Sequence, residues 1–222
     1  MTGDAVQAVI FDLDGVLVDS ERLWDEVRRS VVAAAGRDWP ADATQALQGM
    51  STPEWSAYLT DVVGVPGRPE DVAATVIDGM VARYRERLPL LPGAIEAVER
   101  LSNRWPLGLA SSSPRRLIET VLDAAHLTGH FRVTVSTEEV GAGKPSPAVY
   151  NEVVRRLRAD PSRVIAIEDS SNGLRSASAA RVGVIAVPNP TYPPQDDALA
   201  LADAVVQSLD DITTDLVASL VA

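Results

Sequence analysis

The sequence predicts a doubly wound α/β domain with a parallel sheet, interrupted after its first strand by an all-helical insert. Three observations carry this. Val6 to Leu13 is a near-continuous apolar run, the mark of a parallel strand covered on both faces. From Pro89 onward strand and helix patterns alternate, as βαβ units require. Between about Val16 and Leu88 every periodic stretch is helical.

In the insert, Leu23, Val27 and Val31 recur at helical spacing, as do Val72, Val76, Met80 and Tyr84, while Pro40, Pro53, Pro66 and Pro69 punctuate the segment. The later strands are expected at Leu107–Ala110, Phe131–Val135, Val164–Ile167, Val182–Val187 and Ala204–Val206. Helices are expected at Ala94–Leu101, Pro114–Ala124, Pro147–Leu157, Ser171–Ala180 and Ile212–Leu220. The division is therefore a core of residues 1–15 and 89–222 with a helical cap over 16–88. The two connections, Gly15–Val18 and Leu88–Gly93, should lie close together if the insert leaves and rejoins one sheet edge, forming a hinge pair.

The 222 residues, 46% hydrophobic, are enough for a sizeable core. A formal charge of −11, with no dense arginine block, argues against nucleic acid as a partner. Cysteine is absent, which excludes a thiolate nucleophile, a thiolate metal site and disulfides. Charges break each long apolar run before it reaches about 18 residues, and no signal-peptide pattern opens the chain, so a soluble, cytoplasmic protein is expected, and nothing in the sequence suggests more than a monomer or weak dimer. His126 and His130 fall between elements and read as surface or packing residues. The Arg-Arg pairs starting at Arg28, Arg115 and Arg155 read as solvated helix faces.

Four short segments fall at strand ends on one edge of the predicted sheet, where α/β folds hold ligands. The first is Asp12-Leu13-Asp14-Gly15. Two acids two apart on a strand share a face and would form one bivalent site, with a cation needed if both are to stay ionised. A strand ending in an Asp-Gly turn is the plainer reading. The second is Ala110-Ser111-Ser112-Ser113-Pro114, where Ser113 would cap a helix starting at Pro114, and the Ser111 hydroxyl with free amides would suit a phosphate. The third is Gly143-Lys144-Pro145-Ser146-Pro147. Nineteen of the twenty basic residues are arginine, so the sole lysine stands out as a compact point charge for phosphate oxygens. The fourth is Ile167-Glu168-Asp169-Ser170-Ser171-Asn172-Gly173, acids that would be costly mid-sheet without a partner, or else solvated loop acids beside a Ser171 cap. Together they offer oxygen ligands for Mg²⁺, a serine and amide cradle and one ammonium, a set suited to phosphoryl transfer with a carboxylate nucleophile.

Asp-Leu-Asp-Gly-Val-Leu-Val-Asp-Ser, Ala-Ser-Ser-Ser-Pro, Gly-Lys-Pro-Ser-Pro and Ile-Glu-Asp-Ser-Ser-Asn-Gly, in this order, resemble the four motifs of the haloacid dehalogenase superfamily, over nearly the whole chain. The chain is similar to the β-phosphoglucomutase-like branch of sugar-phosphate phosphatases. The resemblance implies that Asp12 attacks phosphorus and Asp14 serves as general acid and base. It implies Mg²⁺ held by Asp12, the Asp14 backbone carbonyl and Asp169, with Glu168 as a further or water-mediated ligand. It also implies phosphoryl oxygens bound by Ser111, the Ser112 amide and Lys144, and a phosphorylated sugar or polyol as substrate.

Three alternatives stand beside this reading. A dehalogenase of the superfamily typically lacks the second aspartate, so Asp14 argues against it. A β-phosphoglucomutase shares the core residues, but resembles this chain less in the cap, where Trp24 replaces its histidine and Thr52 aligns with its phosphate-binding arginine. A non-catalytic binding module would require a lost catalytic group, and none is lost. Asp19-Ser20-Glu21-Arg22-Leu23-Trp24 resembles the hexitol and 2-deoxyglucose-6-phosphate phosphatases. Trp24 would lie against a sugar face there or pack in the cap core. Gln48, Met50 and Trp55 are further candidates for substrate contact.

Overall fold

A computed structural model describes residues 5–47, 50–191 and 193–221. Six strands, β1 (Ala8–Phe11), β2 (Leu107–Ser111), β3 (Phe131–Ser136), β4 (Val164–Glu168), β5 (Gly183–Ala186) and β6 (Ala204–Val205), form one sheet. Every pairing is parallel, and the order is β3-β2-β1-β4-β5-β6. The chain winds outward from β1 to β3, then returns beside β1 and winds the other way through β4 to β6. That reversal makes the carboxyl ends of β1 and β4 the topological switch point.

The period of two along each strand sorts the core. Val9 and Phe11, with Ile165, Ile167 and Ile185, join one apolar cluster, while Ala8 and Ile10, with Val164, Ala166 and Val184, join the other. Helices α5 (Ala94–Ser102) and α6 (Arg115–Ala124) supply Val98, Leu101, Leu117 and Ile118 to the first face. Beyond a short α7 (Thr137–Val140), α8 (Ala148–Leu157) and α9 (Ser171–Ala179) supply Tyr150, Val153, Leu174 and Ala177 to the second. Both faces are covered, so the central strands contain no exposed residue. The chain ends through α10 (Asp196–Leu199) and α11 (Thr214–Ser219).

Between β1 and α5 the described residues form four helices, α1 (Glu21–Ala34), α2 (Ala43–Ala46), α3 (Thr52–Ala57) and α4 (Pro69–Glu86), with one π-helical turn at Tyr58–Val62. Val72, Val76, Met80 and Tyr84 are the buried stripe of α4, as their spacing predicts. On α1 the buried stripe is rotated from the predicted one. Trp24, Val27, Arg28 and Val32 are buried, and Leu23 and Val31 are only half-buried. The reason is that Trp24 and Trp55 pack together, with ring centroids 5.9 Å apart, and turn the helix toward α3. The two connections meet: Asp19 donates its backbone N–H to Pro89 O at 2.9 Å, and Leu91 to Leu17 O at 3.0 Å. His126 is exposed and His130 half-buried, its Nδ1 2.8 Å from Ser102 Oγ. No described helix is long and apolar enough to cross a membrane.

Candidate functional site

The register of the sheet builds the site. Phe11 pairs with Ile167 on one side and with Leu109 on the other, which sets Asp12 beside Glu168 and beside Ala110. Lys144 reaches into that position from the loop before α8. Its ammonium donates to Asp12 Oδ1 at 2.6 Å, Glu168 Oε1 at 2.6 Å and Ala110 O at 3.0 Å. Three N–H bonds meet three acceptors, which a tetrahedral ammonium satisfies fully.

Glu168 is fully buried yet well supplied with donors. Oε1 accepts from Lys144 and from the Tyr150 hydroxyl at 2.8 Å, and Oε2 accepts from Asp169 N at 3.1 Å and Ser170 N at 3.3 Å. Gly173 makes room for it, since a Cβ there would lie 1.9 Å from the carboxylate. Gly15, at φ +82°, does the same for Asp169, whose Oδ2 would be 1.9 Å from an added Cβ. Both glycines are therefore demanded by the acids they face.

Asp12, Glu168 and Asp169 bring carboxylate oxygens within 4.8 Å of one another, and Asp169 Oδ1 is buried without a hydrogen-bond partner. Three carboxylates against one ammonium leave an excess of two negative charges in a buried space. Burial, against the pull of Lys144 and with the push of Glu168 and Asp14, raises the pKa of Asp12 to about 8. Burial and then the neighbouring Glu168 and Asp12 carboxylates push Asp169 well above the usual range. For Lys144 burial acts downward, but the Asp12 and Glu168 charges outweigh it and hold the ammonium above its ordinary value. A hard divalent cation with oxygen ligands fits this set: it would neutralise the excess and give Asp169 Oδ1 its missing partner.

Asp14 departs from the single bivalent site expected of a two-residue spacing. The strand stops at Phe11, so Asp12 and Asp14 are not held on a common pleat, and Asp14 is not among the acids that cluster with Asp12. Asp14 Oδ2 accepts from Ser113 Oγ at 2.6 Å and Oδ1 from Trp24 Nε1 at 3.5 Å, which sets its carboxylate apart from the three clustered acids. Ser113 is thus no helix cap. Pro114 lies one residue ahead of the first turn, with Arg115 opening α6, and the Ser113 hydroxyl is committed to Asp14. Ser111 Oγ accepts the Ser113 N–H at 2.9 Å and is fully buried beneath the turn, so that Ser112 and Ser113, not Ser111, border the open space. Ser170 rather than Ser171 caps α9, accepting the Gly173 N–H at 3.1 Å.

That open space is a cavity of about 570 Å³ between the sheet edge and the inserted helices. Asp12, Asp14, Lys144 and Asp169 lie on one side, and Trp24, Met50, Thr52 and Trp55 on the other. Gln48, a candidate for substrate contact, lies outside the described residues. Glu21 and Arg28 also line the cavity, beyond the residues that the sequence singles out. Arg28 is only 9% exposed, contrary to the solvated face its pairing with Arg29 indicates, and its guanidinium carbon sits 4.8 Å and 5.0 Å from the Trp24 and Trp55 ring centroids. The sequence did hold the signal. Glu21, Trp24 and Arg28 stand at i, i+3 and i+7, one face of one helix.

Comparison with known proteins agrees with this geometry. The model of the haloacid dehalogenase-like hydrolases matches residues 6–181. The chain belongs to this family. It is 36% identical over 214 residues to hexitol phosphatase B of Escherichia coli (strain K12), covering 94% of this chain and 95% of that one. It is 33% identical over 178 residues to the phosphorylated carbohydrates phosphatase of Thermotoga maritima, covering 80% and 82%. Among solved structures, CbbY from Rhodobacter sphaeroides in complex with phosphate superposes with a TM-score of 0.87 at 25% identity, over 96% of this chain and 99% of that one. Within the family these relatives set the chain in the β-phosphoglucomutase-like branch, among phosphatases.

Proposed function

We propose that the chain is a Mg²⁺-dependent phosphatase of small sugar or polyol phosphates, acting through an aspartyl phosphate on Asp12. The observation that carries this is the contact of Asp12 with Lys144, 2.6 Å, on a cavity that Asp14 and Asp169 also line. The names of the relatives, a hexitol phosphatase and a phosphatase of phosphorylated carbohydrates, support the substrate class.

In this reading an Asp12 carboxylate oxygen attacks phosphorus while the bond from phosphorus to the sugar oxygen breaks. Asp14 gives its proton to the departing oxygen, then takes one from the water that attacks the aspartyl phosphate, releasing inorganic phosphate and restoring Asp12. Ser113 and Trp24 fix where Asp14 can reach. Lys144 exchanges a carboxylate contact for a phosphoryl oxygen, and Ser112 borders the same oxygens, with Ser111 shaping their turn from below. Asp12, Asp169 and the Asp14 backbone carbonyl would hold Mg²⁺, with Glu168 as a direct or water-mediated ligand; the ion supplies charge neutralisation on the transferring group.

The proposal takes residues 16–88 as a cap hinged at the paired connections over a core of 1–15 and 89–222, working as a cytoplasmic monomer. A mutase would need to hold a second phosphate while its sugar turns round. Trp24 and Thr52 line the cavity where the resembling mutase carries a histidine and an arginine, so water should win. The test is phosphate release from hexose, deoxyhexose, hexitol and pentose phosphates with Mg²⁺, together with β-glucose 1-phosphate and its bisphosphate activator. Hydrolysis of sugar monophosphates is expected. Bisphosphate-dependent isomerisation with little phosphate released would overturn the reading.

A further inference from the structure

We infer that Arg28 and Glu21, on the cavity face of α1, select an uncharged, hydroxyl-rich leaving group; this rests on the phosphatase reading above. Arg28 Nε is buried without a hydrogen-bond partner, and the side chain forms no ion pair among the described residues. A guanidinium taken from water and left unpaired is costly, and such groups persist where a ligand completes them. The Trp24 and Trp55 rings, 4.8 Å and 5.0 Å from its carbon, offer it π faces but no acceptor, so its N–H donors are left for what enters the cavity.

Its place in the cavity identifies which part of the substrate it meets. The Trp24 indole joins the two groups, its N–H directed to Asp14 and its face to Arg28. Asp14 is the group assigned to the leaving oxygen, and Lys144 the group assigned to the phosphoryl oxygens. Arg28 therefore stands with the leaving group.

Glu21 decides the chemistry. It lines the same cavity, and burial, followed by the Asp14 charge, raises its pKa. Asp14 and Glu21 against Arg28 already give this end one excess negative charge, and a second anion on the substrate would add to it. Glu21 and Arg28 form no ion pair among the described residues, although each feels the other's charge, so one wall presents both an acceptor and a donor. A hydroxyl can serve either one, since it both donates and accepts, and a chain of hydroxyls can serve both. A carboxylate can serve only Arg28.

The experiment measures kcat/KM with Mg²⁺ for a hexitol 6-phosphate, for 6-phosphogluconate, which has the same length but ends in a carboxylate, and for 4-nitrophenyl phosphate. The wild-type protein should favour the hexitol ester over the carboxylate ester by roughly tenfold or more, the scale of one misplaced charge at a polar site. In Arg28→Met, which keeps the stem but removes the donors, the hexitol to nitrophenyl ratio should fall by roughly tenfold, chiefly through KM. Glu21→Gln should narrow the discrimination against the carboxylate. Equal or greater wild-type activity on 6-phosphogluconate overturns the inference without any variant, and so does an unchanged ratio in a folded Arg28→Met. If Arg28→Met does not fold, Arg28→Lys replaces it, with the same loss of ratio expected because a lysine lacks the planar fork. Absence of all phosphomonoester hydrolysis, by contrast, would defeat the phosphatase reading itself.

Discussion

Ser113 Oγ donates a 2.6 Å hydrogen bond to Asp14 Oδ2 across 99 residues of sequence, and this contact draws the Asp14 carboxylate apart from the three acids clustered around Asp169. Its consequence is kinetic. A hydrogen bond to a charged group is worth about 1.5–3 kcal/mol, so removing it in Ser113→Ala frees Asp14 to sample other rotamers and should slow turnover by roughly tenfold. The slowing should be greater for a sugar phosphate, whose leaving oxygen needs a proton, than for 4-nitrophenyl phosphate, whose leaving group does not. Equal slowing of the two substrates would show that Ser113 supports the turn and not the acid.

Asp12→Asn should abolish phosphate release while the protein stays folded, because an amide can neither attack phosphorus nor be regenerated by water. The stability of the variant is the more telling measurement. Burial and its neighbours hold the Asp12 carboxylate well above its ordinary pKa, so in the metal-free protein the charged form strains the fold. Removing that charge should leave the melting temperature in EDTA unchanged or higher. A marked fall would mean that the attraction between Asp12 and Lys144 outweighs the cost of burying the Asp12 charge in the metal-free protein.

The same acids set a pH dependence whose sign is definite. Asp12, raised to about 8, and Asp169, raised well above its ordinary range chiefly by burial, bind more protons in the folded than in the unfolded chain between their ordinary values near 3.8 and their raised ones. Stability contributed by these protons is complete below the unfolded pKa and is lost as pH rises through the folded one. In EDTA the melting temperature should therefore decline from about pH 5 to about pH 8 on account of these groups. Mg²⁺ should flatten the decline, since a bound cation favours the ionised forms, and its binding near neutral pH should release protons measurable by calorimetry in two buffers. A metal-free protein most stable at pH 8 would contradict the assignment.

Much of this arrangement was legible in the sequence, and the reasons for the exceptions are physical. The order of strands and helices follows from apolar periodicity, which reports burial on one or two faces, and every predicted strand is present within a few residues. The acids and the lone lysine stand out because charge at the end of an apolar strand needs a partner. Side-chain direction was less accessible. The separation of Asp14 from the acid cluster around Asp12 goes with β1 ending at Phe11, and the role of Ser113 depends on a residue 99 positions away, neither of which local pattern encodes. Arg28 reads as part of a solvated face because it belongs to an Arg-Arg pair, although its spacing from Glu21 and Trp24 sets it on their side of the helix. Only the tertiary pairing of Trp24 with Trp55 buries it.

Lys144→Arg should be severely impaired although it conserves charge. The ammonium is satisfied by three acceptors in a space where its side chain is only 6% exposed, and each acceptor lies within 3.0 Å. A guanidinium is larger and planar with five donors, so it can neither occupy that space nor meet Asp12, Glu168 and Ala110 together. Overpacking of a filled site costs about 1–3 kcal/mol, and Glu168 would have to move against the Tyr150 hydroxyl and the Gly173 backbone that confine it. Turnover should fall by a factor on the order of 10² or more, since the phosphoryl oxygens lose their point charge and Asp12 loses its alignment. Urea denaturation would report the first effect and steady-state kinetics on a sugar phosphate the second. A near-normal rate in Lys144→Arg would reduce the lysine to a generic positive charge and remove the shape argument, whereas a stable but inactive variant would tie the geometry of this one ammonium to the chemistry.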